Sequence, residues 1–527
     1  MESKNNNQLP NRWSQGRLAE IISHTGIVSD GDWIESKDQD PNGKVRLVQL
    51  ADIGDGKFLS KSSRFMTTEA ANRLNCTFLK EGDVLIARMP APLGRACIFP
   101  QVEHQSVTVV DVCLIRPNEN SALSNDLFKY WINTPQIRSE ISLQATGSTR
   151  KRITRKKLSA FNFPVPPLPE QKRIVEKLDS LLAQVNTIQQ RLNNLPNIIK
   201  RFRQSVLAAA VSGKLTKQWR GRNIEVTTVV ETLNKLETKH FETWKKDQLF
   251  KFEVKGKVPK TDIWLKKYKK LEKIETKILA EIPSSWKWVG IEEIAEAISD
   301  GDHNPPRKTQ EGVRHLTIKN INHGVINFEN CAFVTEEGYK QTKARYEAKP
   351  KDILLTCIGT IGRTAIVGED VEFSTDRNLA YIRLYEEIKP EYIQLLLKSP
   401  LLQQFMSGGG VGNAQSALYL KVIRKLPIPF APIEEQCEIL RLVEQYFALA
   451  DTLEKNLANA KQRVDNLTQS ILAKAFKGEL VPQDPNDEPA DKLLERIKVA
   501  RLEAEKLEKA AKASAKKAAK ASKASKT

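Results

Sequence analysis

The amino-acid sequence predicts a mixed α/β (α+β) fold, with two pseudo-symmetric globular domains separated by a pair of long coiled-coil helices. Three observations predict it. The chain repeats itself, two matching segments of about 44 residues carry one unbroken helical apolar spacing, and short β-rich runs precede each segment.

The repeat is read from self-comparison. Phe163-Pro-Val-Pro-Pro-Leu-Pro-Glu-Gln171 returns as Leu426-Pro-Ile-Pro-Phe-Ala-Pro-Ile-Glu-Glu-Gln436, and Gln204-Ser-Val-Leu207 returns as Gln469-Ser-Ile-Leu472. Both glutamine pairs keep one offset, Gln171 to Gln436 and Gln204 to Gln469, and 170–213 shares 13 of 44 positions with 435–478 without a gap. Upstream, Leu9-Pro10-x-x-Trp13 matches Ile282-Pro283-x-x-Trp286. Gly82-Asp83 matches Lys351-Asp352, Leu93-Gly94-Arg95 matches Ile361-Gly362-Arg363, and Ile115-Arg116 matches Ile382-Arg383.

The helical segments keep one register. Ile174, Leu178, Leu181, Val185, Ile188, Leu192, Leu195, Ile199, Phe202 and Val206 alternate spacings of four and three, as do Ile439, Val443, Tyr446, Ala450, Leu453, Leu457, Ala460, Val464, Leu467 and Ile471. Such spacing over five heptads is a coiled-coil seam, and the simplest partner for each seam is the other. Gly213 and Gly478 sit where the helices should stop, and Pro196 should kink the first. A 44-residue helix is roughly 65 Å long. Parallel pairing would crowd both globular domains at one end. The 217–280 connection is long enough for antiparallel pairing, which is the arrangement expected.

These features divide the chain into a first globular domain (1–169), a first helix (170–216), a basic linker (217–280), a second domain (281–434), a second helix (435–481) and a tail (482–527). Strands are expected in Lys44–Ile53, Asp83–Ala87 and Thr108–Ile115, and in Val313–Ile318, Asp352–Cys357 and Leu379–Leu384. In the linker, 223–249 and 263–279 have helical periodicity, the latter through Trp264, Tyr268, Leu271 and Ile278. The tail is helical at first. From 509 onward it is Lys/Ala/Ser without apolar anchors and is read as disordered or transiently helical.

Composition narrows the function. The net charge of +19 suggests a polyanionic partner. Residues 214–280 carry 18 Lys/Arg against 9 Asp/Glu, and 509–527 carry seven lysines and no acid. Six cysteines without a C-x-x-C pair suit a reducing, cytoplasmic setting. The polar start is no signal peptide, and no apolar run approaches the ~20 residues of a membrane span. No P-loop, H-E-x-x-H or metal-nuclease core is found. Asn304-Pro305-Pro306 is followed by Arg307 where an adenine methyltransferase would stack an aromatic, and Gly408-Gly-Gly-Val-Gly412 follows no apolar strand. Both read as loops. The positive signal is Gly147-Ser-Thr-Arg-Lys-Arg-Ile-Thr-Arg-Lys-Lys157, with six basic residues in 150–157 interleaved with hydroxyls suited to phosphate contacts. The second copy has Gly412-Asn-Ala-Gln-Ser-Ala-Leu-Tyr-Leu-Lys421 there, far less basic.

The layout resembles the specificity subunit of type I restriction–modification enzymes over nearly the whole chain. The resemblance is strongest at Pro-Leu-Pro-Glu-Gln171, Glu176-Lys-Leu-Asp-Ser-Leu-Leu-Ala183, Lys200-Arg-Phe-Arg-Gln-Ser-Val-Leu207, Asn466-Leu-Thr-Gln-Ser-Ile-Leu-Ala-Lys-Ala-Phe476 and Gly-Glu-Leu-Val-Pro-Gln483. It implies two target-recognition domains, each reading one half of a split sequence in double-stranded DNA, with the helices setting the gap. It implies docking of two modification subunits, which hold S-adenosylmethionine and methylate adenine. Restriction subunits using ATP and magnesium would join later. This chain would then bind no cofactor and catalyse nothing itself. The DNA-contact candidates are Arg95, Thr149, Arg150, Lys151, Arg152 and Arg155 in the first domain, and Arg363, Asn413 and Gln415 in the second. The 217–280 linker and the Lys/Ala tail depart from the family pattern. Two other readings compete: a self-sufficient DNA methyltransferase or nuclease, which needs a cofactor motif, and a coiled-coil scaffold for protein or RNA.

Overall fold

The runs Val84-Leu-Ile-Ala87 and Ile353-Leu-Leu-Thr356 have no polar alternation, and every side chain in them is buried. Each is therefore an interior strand of a covered sheet. The computed structural model describes residues 9–524 except 90, 148–149, 224–226, 258, 260, 278, 370–371 and 409–416, and for 513–524 the backbone alone. It divides into two units, one of Met1–Asn193 with Asn459–Thr527 and one of Asn194–Ala458.

The first globular domain contains β1 (Ser14–Arg17), α1 (Leu18–Ile21), β2 (Ile27–Asp30), β3 (Val45–Val48), β4 (Phe65–Met66), α2 (Thr68–Arg73), β5 (Val84–Ala87), β6 (Ala96–Ile98), β7 (Ser106–Thr108), β8 (Val112–Arg116), α3 (Asn125–Ile132), α4 (Pro135–Gln144), α5 (Arg155–Ser159) and β9 (Asn162–Val165). An antiparallel sheet runs β2-β8-β5-β6, a second runs β4-β3-β7 with β3 and β7 parallel, and β1 pairs with β9. The 44-residue helix α6 (Leu168–Val211) follows. It runs uninterrupted through Pro196, which is exposed, so the carbonyl that proline leaves unpaired is open to water.

The linker forms α7 (Lys217–Arg222) and α8 (Val229–Val254). The second helix expected there is not formed: the described residues of 263–279 hold only a 3-10 turn, Asp262–Lys267, followed by non-helical chain. Trp264 and Tyr268 keep their spacing because both turn onto α8. Trp264 stacks on Trp244 (5.7 Å between centroids), and Tyr268 lies edge-on to Phe241 (4.9 Å).

The second domain repeats the first. It has β10 (Lys287–Gly290), α9 (Ile291–Ile294), β11 (Ala295–Asp300), β12 (Lys308–Thr309), β13 (Val313–Leu316), the hairpin β14–β15 (Ile321–Asn322, Val325–Ile326), β16 (Ala332–Val334), α10 (Glu336–Arg345), β17 (Ile353–Thr356), β18 (Thr364–Ile366), β19 (Phe373–Thr375), β20 (Leu379–Leu384), α11 (Pro390–Leu397), α12 (Pro400–Met406), α13 (Leu420–Arg424) and β21 (Pro427–Phe430). The sheet β11-β20-β17-β18 copies β2-β8-β5-β6 strand for strand. The sheet β12-β16-β13-β19 keeps the parallel pair and adds one strand. Thr134-Pro135 and Ser399-Pro400 start matching helices, with hydroxyl caps on the Ile137 and Leu402 amides. The chain ends with α14 (Ile433–Lys477) and α15 (Ala490–Ala524). The Lys/Ala stretch read as disordered or transiently helical is helical to Ala524, as its alanine content favours.

The long helices are antiparallel in each unit. In the first, Arg173 reaches Asp487 (2.6 Å), just past the end of α14, while Gln189 meets Asp465 (3.2 Å). In the second, Arg203 meets Asp451 (2.6 Å), and Thr216, just past α6, bonds Glu435 near the start of α14 (2.6 Å). Ile174, Leu178 and Val185 join Val464 and Ile471 in one core, and Val206 joins Ile439 and Val443 in the other. The seam is incomplete: Ile188, Tyr446, Leu453 and Leu467 remain exposed, because two helices cannot cover both sides of a seam this wide.

The ends of the helices explain the repeated Pro-x-x-Trp. Gly478 has φ +74° and lies against Pro10, so that a Cβ there would come within 2.3 Å of the Pro10 ring. Gly213, at φ +69°, lies against Pro283 in the same way, at 2.4 Å. Only glycine fits both demands. The tryptophans lead to buried carboxylates. Trp286 Nε1 donates to Glu435 (2.9 Å), which also takes Arg220. Glu170 is as buried, and among the described residues no arginine forms an ion pair with it. Burial raises its pKa, only partly offset by the Trp13 indole and the Arg173 charge.

Candidate nucleic-acid interface

Four segments meet at one end of the β2-β8-β5-β6 sheet. β2 stops at Asp30, where the Gly31 amide donates to Val112 O and the Asp32 amide to Thr108 O, both at 2.8 Å. Gly31 passes so close to Val109 O that a Cβ would lie 2.1 Å from it. Beyond β5, the Arg88 amide donates to Asp111 O (2.9 Å). The basic segment then folds back, bridging Thr146 to Arg152, and the Ile153 amide donates to Arg88 O (3.2 Å). Buried Ile153 and Leu158 pin it. Thr154 Oγ1 caps α5 by accepting from the Lys157 amide (3.3 Å), so this hydroxyl is spent on the helix rather than free for phosphate.

The convergence sorts the basic candidates. Arg88, 3% exposed, donates to Val110 O and lies 3.1 Å from Asp30. Burial lowers its pKa, and Asp30 opposes that. Arg152 lies 3.1 Å from Asp111. Arg155 donates to Val28 O (2.9 Å), with its Nε 3.8 Å from Asp30. These guanidiniums are therefore oriented by carboxylates. Arg150 and Lys151 are exposed and form no ion pair with any described residue. Arg95 stands apart from this cluster among the described contacts: its Nη2 is 3.5 Å from Leu50 O, beside Arg138. Thr149 lies outside the described residues.

The second domain has the same frame with different groups. The Gly301 amide donates to Leu379 O and the Asp302 amide to Thr375 O, both at 3.0 Å. The Leu418 amide donates to Cys357 O (2.8 Å), matching Ile153 on Arg88. Cys357 thus stands where the first domain has its buried arginine, and burial pushes its thiol up to about 12. Asp300 holds Arg345 (2.5 Å) and His303 (2.9 Å). Burial opposes its ionisation, but Arg345 and His303 outweigh that, and its pKa falls below the ordinary value. Arg363 donates to Asn322 Oδ1 (2.5 Å) from the loop after β17. Asn413 and Gln415 lie outside the described residues.

Sequence reasoning missed Arg88, Asp111, Arg345 and the paired aspartates. A signal for the aspartates was present: Ser29-Asp-Gly-Asp32 returns as Ser299-Asp-Gly-Asp302. Among the described residues, no three or more His, Cys, Asp or Glu could hold a metal ion, and no helix is long and apolar enough to cross a membrane.

This frame is found in known proteins. The family model of the type I restriction modification DNA specificity domain matches residues 10–197 and 239–461. The chain belongs to the type I restriction–modification specificity subunits. Among its relatives, the EcoBI specificity subunit of Escherichia coli is 36% identical over 405 residues, 74% of each chain. The EcoKI specificity subunit of E. coli K12 is 31% identical over 404 residues, again 74% of each. The EcoDI specificity subunit is 30% identical over 473 residues, covering 87% of this chain and 94% of its own. Specificity subunits also share the fold. The HsdS subunit of Thermoanaerobacter tengcongensis superimposes with a TM-score of 0.56 at 18% identity, over 90% of this chain and 98% of its own. A chain from a structure of the complex assembly and conformational transition of the type I R-M system gives 0.58 at 18% identity, over 90% and 99%. This specificity subunit accordingly has a DNA-recognition role.

In it, the free and the tied cations should behave differently. Replacing Arg150 and Lys151 with glutamine should lower the slope of log K against log salt by roughly 1.8, at ~0.9 per phosphate contact, and weaken all DNA sequences alike. Salt titrations of binding on target and unrelated duplexes measure this, and an unchanged slope would place both side chains in solvent.

Proposed function

We propose that this chain is the non-catalytic reader of a two-part DNA target. Each globular domain reads one half-site in double-stranded DNA, and the antiparallel helices fix the gap. The observation that carries this reading is the pair of sheets with one topology but different side chains at the same end: Arg88, Arg152 and Arg155 around Asp30 and Asp111 in one, and Arg345 and His303 around Asp300 in the other. A shared frame with exchanged contacts suits two half-sites of different sequence. Two modification subunits, carrying S-adenosylmethionine, dock on the helices, and restriction subunits using ATP and magnesium complete the complex. The exposed Tyr446, Leu449 and Leu453, spaced by three and four along α14, support docking there.

Exchange of domains tests the reading. Replacing residues 1–163 with the matching domain of a relative should change one half-site and leave the other half and the gap unaltered. Methylome sequencing of cells carrying the complex reads both. A swap that altered both half-sites together would overturn independent reading.

A further inference from the structure

The first aspartates of the two Ser-Asp-Gly-Asp segments each hold an arginine, yet the two arginines come from different parts of the fold. In the first domain, Asp30 holds Arg155, the first residue of α5 (Nε 3.8 Å from Oδ2). In the second, Asp300 holds Arg345, the last residue of α10 (2.5 Å). α13, the counterpart of α5, starts with Leu420, and its Arg424 is taken up by Glu292 (2.8 Å). α10 is the counterpart of α2. Both follow the strand antiparallel to β3 or β13, and both start on a threonine cap, Thr67 or Thr335. α2 has six residues and ends at Arg73, which bonds Asp38 (2.7 Å). α10 has ten, about one turn more, and that turn carries Arg345. The repeat thus keeps a guanidinium on this aspartate while exchanging the element that supplies it.

Arg345 is fixed at both ends. It precedes Tyr346, whose ring lies 4.4 Å from that of Tyr381 on β20 and whose hydroxyl donates to Asp352 (3.0 Å). Its Nη2 donates to Asp300 Oδ1, and its Nε lies 3.4 Å from Asp300 O. His303 Nε2 is 2.9 Å from Asp300 Oδ2 and 3.2 Å from Arg345 Nη2, so each carboxylate oxygen faces one basic side chain. Asp300 is in turn held by its neighbour: Gly301 passes so close to β19 that a Cβ would lie 2.2 Å from Thr375 Oγ1. The Asp300 side chain is 16% exposed and that of Arg345 43%, so the carboxylate lies beneath and the guanidinium faces outward. Arg345 Nη1 makes no hydrogen bond with any described residue.

One side of the guanidinium is therefore tied and the other open, at the end of the sheet where the candidate interface lies. Such a group suits a base edge better than a phosphate. Guanine presents two acceptors, O6 and N7, in the major groove, and a planar fork meets both at once. An arginine already oriented by a carboxylate loses little freedom in doing so. The same carboxylate offsets the attraction that an unpaired cation such as Arg150 offers the DNA backbone.

We infer that Arg345 reads a guanine in the half-site of the second domain, with Asp300 as its positioning residue. The inference rests on the reading of each domain as the reader of one half-site, and it names the side chain and the base for the second.

The test uses the complex assembled with its modification subunits. Exchange of residues 1–163 identifies the half-site of the second domain, and duplexes then carry each base pair in turn at every position of it. Wild type should prefer guanine at one position by roughly 5- to 150-fold, and R345Q should lose that preference there alone. R345K keeps the charge but not the fork, so it should lose the same preference at the wild-type slope of log K against log salt. Calorimetry of both variants checks that the second domain stays folded. Unchanged preferences in R345Q would overturn the inference. So would an R345K that discriminates as wild type does. An R345Q that weakens all sequences alike, with the slope lowered by ~0.9, would also overturn it, because a phosphate contact would then be the whole effect. In these three cases the reading of one half-site per domain stands. A variant that altered preferences in both half-sites would overturn that reading together with the inference.

Discussion

Replacing Asp352 with alanine should unfold the second domain well below the temperature at which the first melts. Asp352 is 1% exposed and takes two bonds from Arg383, at 2.8 Å each. It also accepts from the Tyr346 hydroxyl (3.0 Å) and the Lys349 amide (2.8 Å). Truncation leaves two donors and a cation without their acceptor. Breaking a buried pair from one side costs about 3–5 kcal/mol, because the remaining charge stays buried. At about 2–4 °C per kcal/mol, the transition of this domain should fall on the order of 10 °C. The first domain holds the same device, with Arg116 bonded to Asp83 at 2.5 and 2.6 Å and the Lys80 amide on Asp83 at 2.8 Å. Asp83→Ala should therefore depress the other transition by a similar amount. Calorimetry of each variant would show which transition moves. A shift of only a degree or two would mean that water reaches the stranded arginine freely.

Leu457→Pro should disrupt the paired helices. Leu457 is 8% exposed on α14, and the change removes a core side chain as well as a backbone donor. Proline inside a helix costs ~3 kcal/mol or more, and losing a buried leucine ~2–5 kcal/mol. Pro196 is the built-in comparison: it occupies an exposed position of α6, where its ring and the free carbonyl meet solvent. Helicity by circular dichroism and light scattering of the assembled complex both report the outcome. Normal assembly by the variant would argue that the helices are not the spacer.

The elements legible in the sequence were those whose signal is local. The seams, the terminal glycines and the apolar strand runs each declare themselves within a short stretch. Asp83 and Arg116 were visible as separate repeated pairs, yet their bond crosses between strands and depends on Val84 facing Ile115 across β5 and β8. No periodicity encodes that register. The Ser-Asp-Gly-Asp repeat escaped because its offset, Ser29 to Ser299, differs from that of the helices, Gln171 to Gln436, after loops of unequal length. The basic cluster showed its charge but not its pairing. Asp30 and Asp111, which orient Arg152 and Arg155, come from distant parts of the chain. In the linker, the spacing of Trp264 and Tyr268 imitates a helix because a turn and the extended chain after it can also send residues onto one neighbour.

The reciprocal closure at Gly213 and Gly478 has a topological consequence. Each helix ends against the opening Pro-x-x-Trp of the other copy, so the connectivity closes on itself through two equal links. Between Gly213 and Pro283 the linker runs on from one copy into the next, and Thr216 and Arg220 at its start bond Glu435 there. A half-length chain would carry both a helix end and the surface that receives one. Two such chains could exchange ends with each other as the two copies of this chain do.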